Sequence, residues 1–133
     1  MNKIALDTNI LIYLYDESDE RKRNISESLI LDIPIIGSQV ISEFLNVTKR
    51  VLKLPKHELM DKADKLFTNC ETIAMNQMTI TKAKDLIQKY DFQLFDSLIV
   101  ASALQANCTI LYSEDLHHNL LVENRLRIMN PFI

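Results

Sequence analysis

Four acidic residues are set apart from the rest by their neighbours. Asp7 closes the apolar run Ile4-Ala5-Leu6, and Asp115 follows Thr109-Ile110-Leu111-Tyr112 across Ser113 and Glu114. Glu43 lies among Val40, Ile41, Phe44 and Leu45, and Asp96 stands between Phe95 and Leu98 at the start of an almost wholly apolar stretch. Other acids, such as those in Asp16-Glu17-Ser18-Asp19-Glu20, sit in plainly polar surroundings and read as solvated surface. Carboxylates gathered beside apolar walls repel one another and are driven toward the neutral form unless cations compensate. Donor sets made only of oxygen select hard cations, here Mg²⁺ or Mn²⁺. Mg²⁺ retains waters and completes its shell with substrate phosphate. The chemistry such a site supports is attack of cation-activated water on a phosphodiester, with the ion holding the developing charge.

Taken singly, each acid has a plainer reading. Asp96 and Asp7 suit helix N-caps or first-turn acids facing the helix dipole. Asp115 suits a turn, and Glu43 suits the solvent face of an amphipathic helix. The case for a site is therefore a joint one and depends on the elements that carry the four.

Ile4-Ala5-Leu6 reads as a buried strand and Asn9 to Tyr15 as a helix. A further helix carries Ile25, Leu29 and Ile30 and ends near Asp32. Ile33-Pro34-Ile35-Ile36 reads as a second strand entered at its proline. Gly37-Ser38 makes the turn, with Ser38 the expected N-cap of a helix that aligns Val40, Ile41, Phe44, Leu45, Thr48 and Leu52. Pro55 opens a helix with Leu59, Ala63, Leu66, Phe67 and Cys70 along one side. Glu71 to Ala74 is a weak strand. Thr79 or Thr81 caps the next helix, which turns Ile80, Ala83, Ile87 and Tyr90 inward. Phe95 to Ala106 is a helix apolar all round and hence buried. Thr109 to Tyr112 is a strand, and Arg127-Ile128-Met129 a final edge strand. Strands alternating with helices predict an α/β fold: a central parallel sheet of four to five short strands with helices on both faces. Ligands in such sheets bind beyond the carboxyl ends of the strands. Asp7 and Asp115 follow strands there, and the helices bearing Glu43 and Asp96 bring their first turns to the same edge.

Composition bounds the answer. The 133 residues, 47% hydrophobic and 25% charged, fit one domain over residues 1–133 with a sizeable core. No apolar run approaches the about 20 residues of a membrane span, and the N-terminal residues do not read as a secretory signal. Cys70 and Cys108 read as reduced core thiols, so a cytoplasmic location is expected. There is one glycine, Gly37, which excludes a dinucleotide fingerprint or a phosphate-cradling loop, since both need several. Phosphate must be handled by side chains and metal. The net charge of −3 is awkward for a nucleic-acid enzyme, but an acidic cluster contributes to it and bound cations reverse the local sign. Two basic groups, Arg21-Lys22-Arg23 and Lys49-Arg50 with Lys53 and Lys56, read as solvated helix faces. His117-His118 reads as a solvated loop, because no further Cys or His stands at ligand spacing. Met75 and Met78 read as packing or loop residues.

Four segments, in order, resemble the motifs of PIN-domain nucleases. They are Leu6-Asp7-Thr8-Asn9-Ile10-Leu11-Ile12-Tyr13; Ser42-Glu43-Phe44; Phe95-Asp96-Ser97-Leu98-Ile99-Val100-Ala101-Ser102-Ala103; and Leu111-Tyr112-Ser113-Glu114-Asp115-Leu116. The resemblance spans essentially the whole chain, and the length is that of the VapC-like toxins of bacterial and archaeal toxin–antitoxin pairs. It implies a PIN-like fold and a Mg²⁺- or Mn²⁺-dependent endoribonuclease. It also implies an RNA substrate, a cognate antitoxin that blocks the site and, commonly, a homodimer. The helix from Pro55 to Cys70 offers one dimer face. By position, Asp7, Glu43, Asp96 and Asp115 carry over as catalytic metal ligands. Thr8 and Ser113 carry over as supporting residues that orient ligands or bind a cation's water. Glu114 beside Asp115 leaves open which acid is the fourth; Asp115 is favoured because neighbours at a strand end point opposite ways.

Haloacid-dehalogenase-like phosphatases need a second aspartate two positions after the first, where this chain has Asn9. Receiver domains need a phosphoacceptor aspartate and a later lysine that cannot be placed here. A PIN-like domain without catalysis, binding RNA or protein, is the non-enzymatic alternative.

Overall fold

The computed structural model describes residues 2–133; Met1, which opens the expected domain, lies outside them. The chain runs β1 (Ile4–Leu6), α1 (Thr8–Ile12), a 3-10 turn (Tyr13–Tyr15), α2 (Glu20–Ile30), β2 (Ile35–Gly37), α3 (Ser38–Leu52) and α4 (Lys56–Thr68). It continues through β3 (Glu71–Ile73), α5 (Gln77–Tyr90), α6 (Leu94–Gln105), β4 (Ile110–Tyr112), β5 (Leu121–Val122) and β6 (Leu126–Met129). The strands form one six-stranded sheet in the order β3-β2-β1-β4-β6-β5. All pairings are parallel except β5 with β6.

This confirms the α/β class and corrects its edge. The last strand is interior: β6 lies between β4 and the two-residue β5, which folds back on it with Leu121 opposite Arg127. The sheet thus has six strands, not four to five. From β1 the chain builds outward through β2 and β3, then returns to build β4 on the other side of β1. The carboxyl ends of β1 and β4, paired from Ile4↔Ile110 to Leu6↔Tyr112, therefore form a topological switch point.

The expected core is largely present. In α6, Ser97 and every residue from Ile99 to Leu104 are buried. The stripe of α4 buries Leu59, Ala63 and Leu66. Phe44 is fully buried, with the Phe67 ring edge-on at 5.5 Å. Cys70 and Cys108 are free thiols, both pushed up to about 11 by burial.

Several local expectations are corrected. Ser38 does not cap α3; Gly37 occupies that position, and the Ser38 hydroxyl instead accepts from the Met75 amide at 3.0 Å. Neither Thr79 nor Thr81 caps α5: Asn76 does, in a capping box with Thr79 as its return partner. Ile80 is exposed, and Leu86 takes the buried place beside Ala83. The charged stretch Asp16 to Asn24, which reads from the sequence as a loop or an exposed helix start, agrees with the structure: Asp19 caps α2 and Glu20 to Asn24 begin it.

Ile33 and Pro34 lie outside β2, and Ile33 has a left-handed backbone, φ 52°. A β-branched residue is strained there, and more so before a proline. Ile33 is 66% exposed, so its side chain contributes little packing. Ile33→Gly is expected to stabilise the protein by about 1 kcal/mol, read as a higher urea midpoint with unchanged slope.

Gly37 has ordinary extended dihedrals, so close approach explains it. A Cβ built there would stand 3.2 Å from the Ser102 Cβ of α6. That atom is anchored to the helix backbone and cannot swing away. Gly37→Ala should push α6 off β2 and destabilise by about 1 kcal/mol or more; pairing it with Ser102→Gly should recover most of the loss.

Candidate active site

Asp7 sits where β1 ends and α1 begins. Its amide extends the β1–β4 ladder by donating to the Tyr112 carbonyl at 2.9 Å. Its side chain caps α1, with Oδ1 accepting from the Thr8 amide at 2.7 Å. Its other oxygen accepts from the Ser113 hydroxyl at 2.7 Å. The plain reading of Asp7 as a helix cap is thus true alongside its place in the site. Burial pushes its carboxyl up to about 6; the bonds from Ser113 and Thr8 oppose the rise, and the charges of Glu43 and Asp96 add to it.

Thr8 then ties α1 to α3: its hydroxyl donates to Glu43 Oε2 at 2.7 Å. Gln39, one turn earlier on α3, donates to Glu43 Oε1 at 3.1 Å. Asp96 is half-buried in the first turn of α6. Burial raises its carboxyl above the usual range, and the charges of Glu43 and Asp115 raise it further. Asp115 is exposed in the loop after β4, where Asn9 Nδ2 donates to its Oδ2 at 3.0 Å. Ser113 shapes that loop, its hydroxyl accepting from the amides of Asp115 and Leu116 at 3.2 Å each.

Asp7, Glu43, Asp96 and Asp115 all line one open cleft of about 440 Å³ at the switch point. Thr8 and Asn9 line it too. Asp16 also lines it, against the expectation of a solvated surface acid; Ser18 holds its carboxylate through amide and hydroxyl.

Glu114 takes a different course. Tyr13 donates to its Oε1 at 2.6 Å, and Lys22 of α2 pairs with its Oε2. Burial would raise the Glu114 carboxyl, but the bonds from Lys22 and Tyr13 together hold it below the usual range. Lys22 also stands 4.8 Å from the Tyr13 ring centre and 5.2 Å from that of Phe132. This is a brace between α2, the 3-10 turn and the loop after β4, and it removes Lys22 from the solvated face expected of it.

Sequence reasoning missed Asn9, Gln39, Tyr13, Lys22 and Asp16. Asn9 lay inside a quoted motif, where its two-sided amide could have signalled a bridge: its Oδ1 accepts the Glu114 amide at 3.2 Å while its Nδ2 reaches Asp115. Tyr13 closes the same motif, and no local signal marks Gln39, Lys22 or Asp16. His117 is exposed and His118 accepts from the Asn130 amide, so neither belongs to the cleft.

Among the described residues, no three acids are packed closely enough to form a finished coordination shell. They ring an open space instead. All-oxygen donors around a solvent-accessible cleft suit a hard cation that keeps part of its water. Burial first, and the neighbouring carboxylates second, push the Asp7 and Asp96 carboxyls toward the neutral form, a tendency that a cation between them would oppose. The residues present fit Mg²⁺ or Mn²⁺.

An α/β sheet with an acidic crevice at its switch point is the class that fold and site define. A model of the PIN domain family matches residues 4–121, and the chain belongs to that family. Solved structures agree on the fold. A toxin–antitoxin complex from Klebsiella pneumoniae contains a chain 19% identical with a TM-score of 0.72, matched over 97% of this chain and 97% of that one. VapC20 from Mycobacterium tuberculosis, described as a sarcin–ricin loop cleaving toxin, is 15% identical with a TM-score of 0.67 over 85% of this chain and 92% of its own. DNA-bound VapBC from Salmonella typhimurium is 18% identical with a TM-score of 0.67, over 98% and 99%. No curated protein matches the chain by sequence.

Proposed function

We propose that this protein is a Mg²⁺- or Mn²⁺-dependent endoribonuclease and the toxin of a toxin–antitoxin pair. The observation that carries the reading is the meeting of Asp7, Glu43, Asp96 and Asp115 in one cleft at the sheet's switch point, in a chain of the PIN family. The four carboxylates would hold the cation. When bound, it supplies Lewis acidity, neutralising phosphate charge and making water nucleophilic at neutral pH. The protein's own part is orientation. Ser113 and the Thr8 amide fix Asp7, Thr8 and Gln39 fix Glu43, and Asn9 fixes Asp115. In hydrolysis a water oxygen bonds to phosphorus and its proton passes to solvent or a cleft carboxylate, while the phosphorus–oxygen bond to the leaving ribose breaks and that ribose oxygen takes up a proton from solvent to leave as a hydroxyl.

The resemblance of the fold to toxin–antitoxin proteins supports the remaining parts: a cognate antitoxin that covers the cleft, a homodimer, and a cytoplasmic setting as a single domain. No helix among the described residues is long and apolar enough to cross a membrane.

The test is digestion of total RNA by the purified protein. Cleavage is expected with Mg²⁺ or Mn²⁺, to vanish with excess chelator and to return when the cation is restored. Cleavage that persists in chelator sinks the cation-dependent mechanism. RNA binding without turnover under any divalent cation would mark a binding module instead.

A further inference from the structure

A second depression adjoins the acidic cleft and shares a wall with it. It is an open groove of about 740 Å³ between α3, α4 and the start of α6; Glu43 lines both it and the cleft, and Gln39 lines the groove beside Glu43. Its lining is unlike the cleft's: Lys49, Lys56, Met60 and Phe95 are all exposed along it. Phe95 is 57% exposed in the first turn of α6, a helix buried at Ser97 and from Ile99 to Leu104, and it immediately precedes Asp96. Ion pairs among the described residues use Lys22, Arg23, Lys65, Lys82 and Lys89, which leaves both groove lysines free.

We propose that this groove seats an unpaired stretch of the RNA substrate, with a base stacked on Phe95 and neighbouring phosphates on Lys49 and Lys56. The proposal rests on the ribonuclease reading of the adjoining cleft. An exposed ring flanked by free cations is the combination that holds single-stranded nucleic acid, since every base offers a π-face and every link a phosphate. Position strengthens the case. Because Phe95 and Asp96 are consecutive, a base on the ring leaves its backbone at the mouth of the cleft. The groove lysines also answer the charge problem: they place positive potential beside an acidic site in a chain of net charge −3. A protein occupant, including a second copy pairing through this side of α4, fits less well, because lysine is depleted from the cores of protein–protein interfaces; a homodimer that uses α4 then pairs through another face of it. A base within a duplex has both faces covered, so the groove selects loops and single strands over helices.

The chain has no tryptophan, so Phe95→Trp puts a lone fluorophore in the groove. In chelator, where nothing is cut, a short single-stranded oligoribonucleotide should quench its emission saturably, and the blunt duplex of the same sequence should not. Phe95→Ala should weaken binding about ten-fold and, with Mg²⁺ restored, raise KM more than it lowers kcat. Lys49→Gln with Lys56→Gln should flatten the plot of log affinity against log salt by about 0.7 per lysine. Met78→Ala, an exposed apolar change on α5, serves as the control and should leave binding unchanged. If Phe95→Ala and the lysine pair bind and cut as the parent does, the groove is not the substrate's path, while the nuclease reading stands. Emission from Phe95→Trp that varies with protein concentration and ignores RNA would show the groove closed by a second copy and overturn the proposal. A parent that neither binds nor cuts RNA overturns both.

Discussion

Asp7→Asn is expected to lower RNA cleavage by on the order of 10³-fold or more, with the fold intact. Loss of one buried carboxylate removes a negative donor from a site whose proposed reaction depends on a cation's charge, an effect of several kcal/mol. Asn keeps the shape, and its carbonyl can still accept the Thr8 amide. Asp96→Asn should do nearly as much. The two acids of the last motif should separate. Asp115→Asn, at the exposed rim of the cleft, should weaken cation binding, so that more Mg²⁺ is needed for half-maximal rate. Glu114→Gln should act through the brace: Lys22 and Tyr13 keep a weaker partner, the loop loosens, and the Mg²⁺ requirement stays put. Rates measured over a Mg²⁺ titration decide this. An Asp7→Asn enzyme that cuts normally removes Asp7 from the site, and a Glu114→Gln enzyme with the larger shift in Mg²⁺ requirement exchanges the roles of the last two.

The same Asp7→Asn protein should be more stable than its parent at neutral pH in the absence of cations. Asp7 titrates near its ordinary value of about 3.9 when unfolded and at about 6 when folded. Between those values the folded state binds more protons, so this group's contribution to stability falls as pH rises through the window and the penalty is complete above about 6. A shift of two units bounds the penalty at ~3 kcal/mol. The bond from Ser113 to the charged carboxylate is already contained in that shift, so the variant, which resembles the protonated parent, should lead by up to ~3 kcal/mol near pH 7.5 and stand nearly level with its parent near pH 4. Urea unfolding of both proteins in chelator measures the difference and cancels the titrating groups that lie away from Asp7, leaving its own change and that of its neighbours Glu43 and Asp96. A gap that widens toward acid pH contradicts the account. Added Mg²⁺ should stabilise the parent and close the gap, because a ligand that binds only the folded state raises its stability.

Much of this was legible because the informative segments are locally emphatic. Ile4-Ala5-Leu6 and Ile110-Leu111-Tyr112 are apolar runs ending at polar residues, and both are central strands of the sheet. The apolar character of α6 foretold its burial. What was not legible depends on tertiary context. A strand of two residues such as β5 is too short to show any period, and without it β6 looked like an edge. The caps at Gly37 and Asn76 were missed because neighbouring hydroxyls fit the same rule, and only the final turn geometry chooses between them. Ile80 is a stripe residue by spacing and exposed in fact, since helix rotation follows the neighbours, not the pattern. Glu43 depended on that same rotation, and for it the packing of α3 against α1 gave the cleft-facing answer. Asp16 and Lys22 lie in a charged run whose average character concealed the two members that turn inward.

Glu43 forms part of the walls of both the acidic cleft and the lysine-lined groove. Gln39 grips it from the groove side and Thr8 from the cleft side. An occupant of one cavity that resets this side chain changes the free energy of occupying the other, and by linkage the factor is the same in both directions. RNA should therefore tighten or loosen the cation by the factor that the cation applies to RNA. Gln39→Ala, which frees one side of Glu43, should change that factor while leaving each ligand's separate affinity less affected.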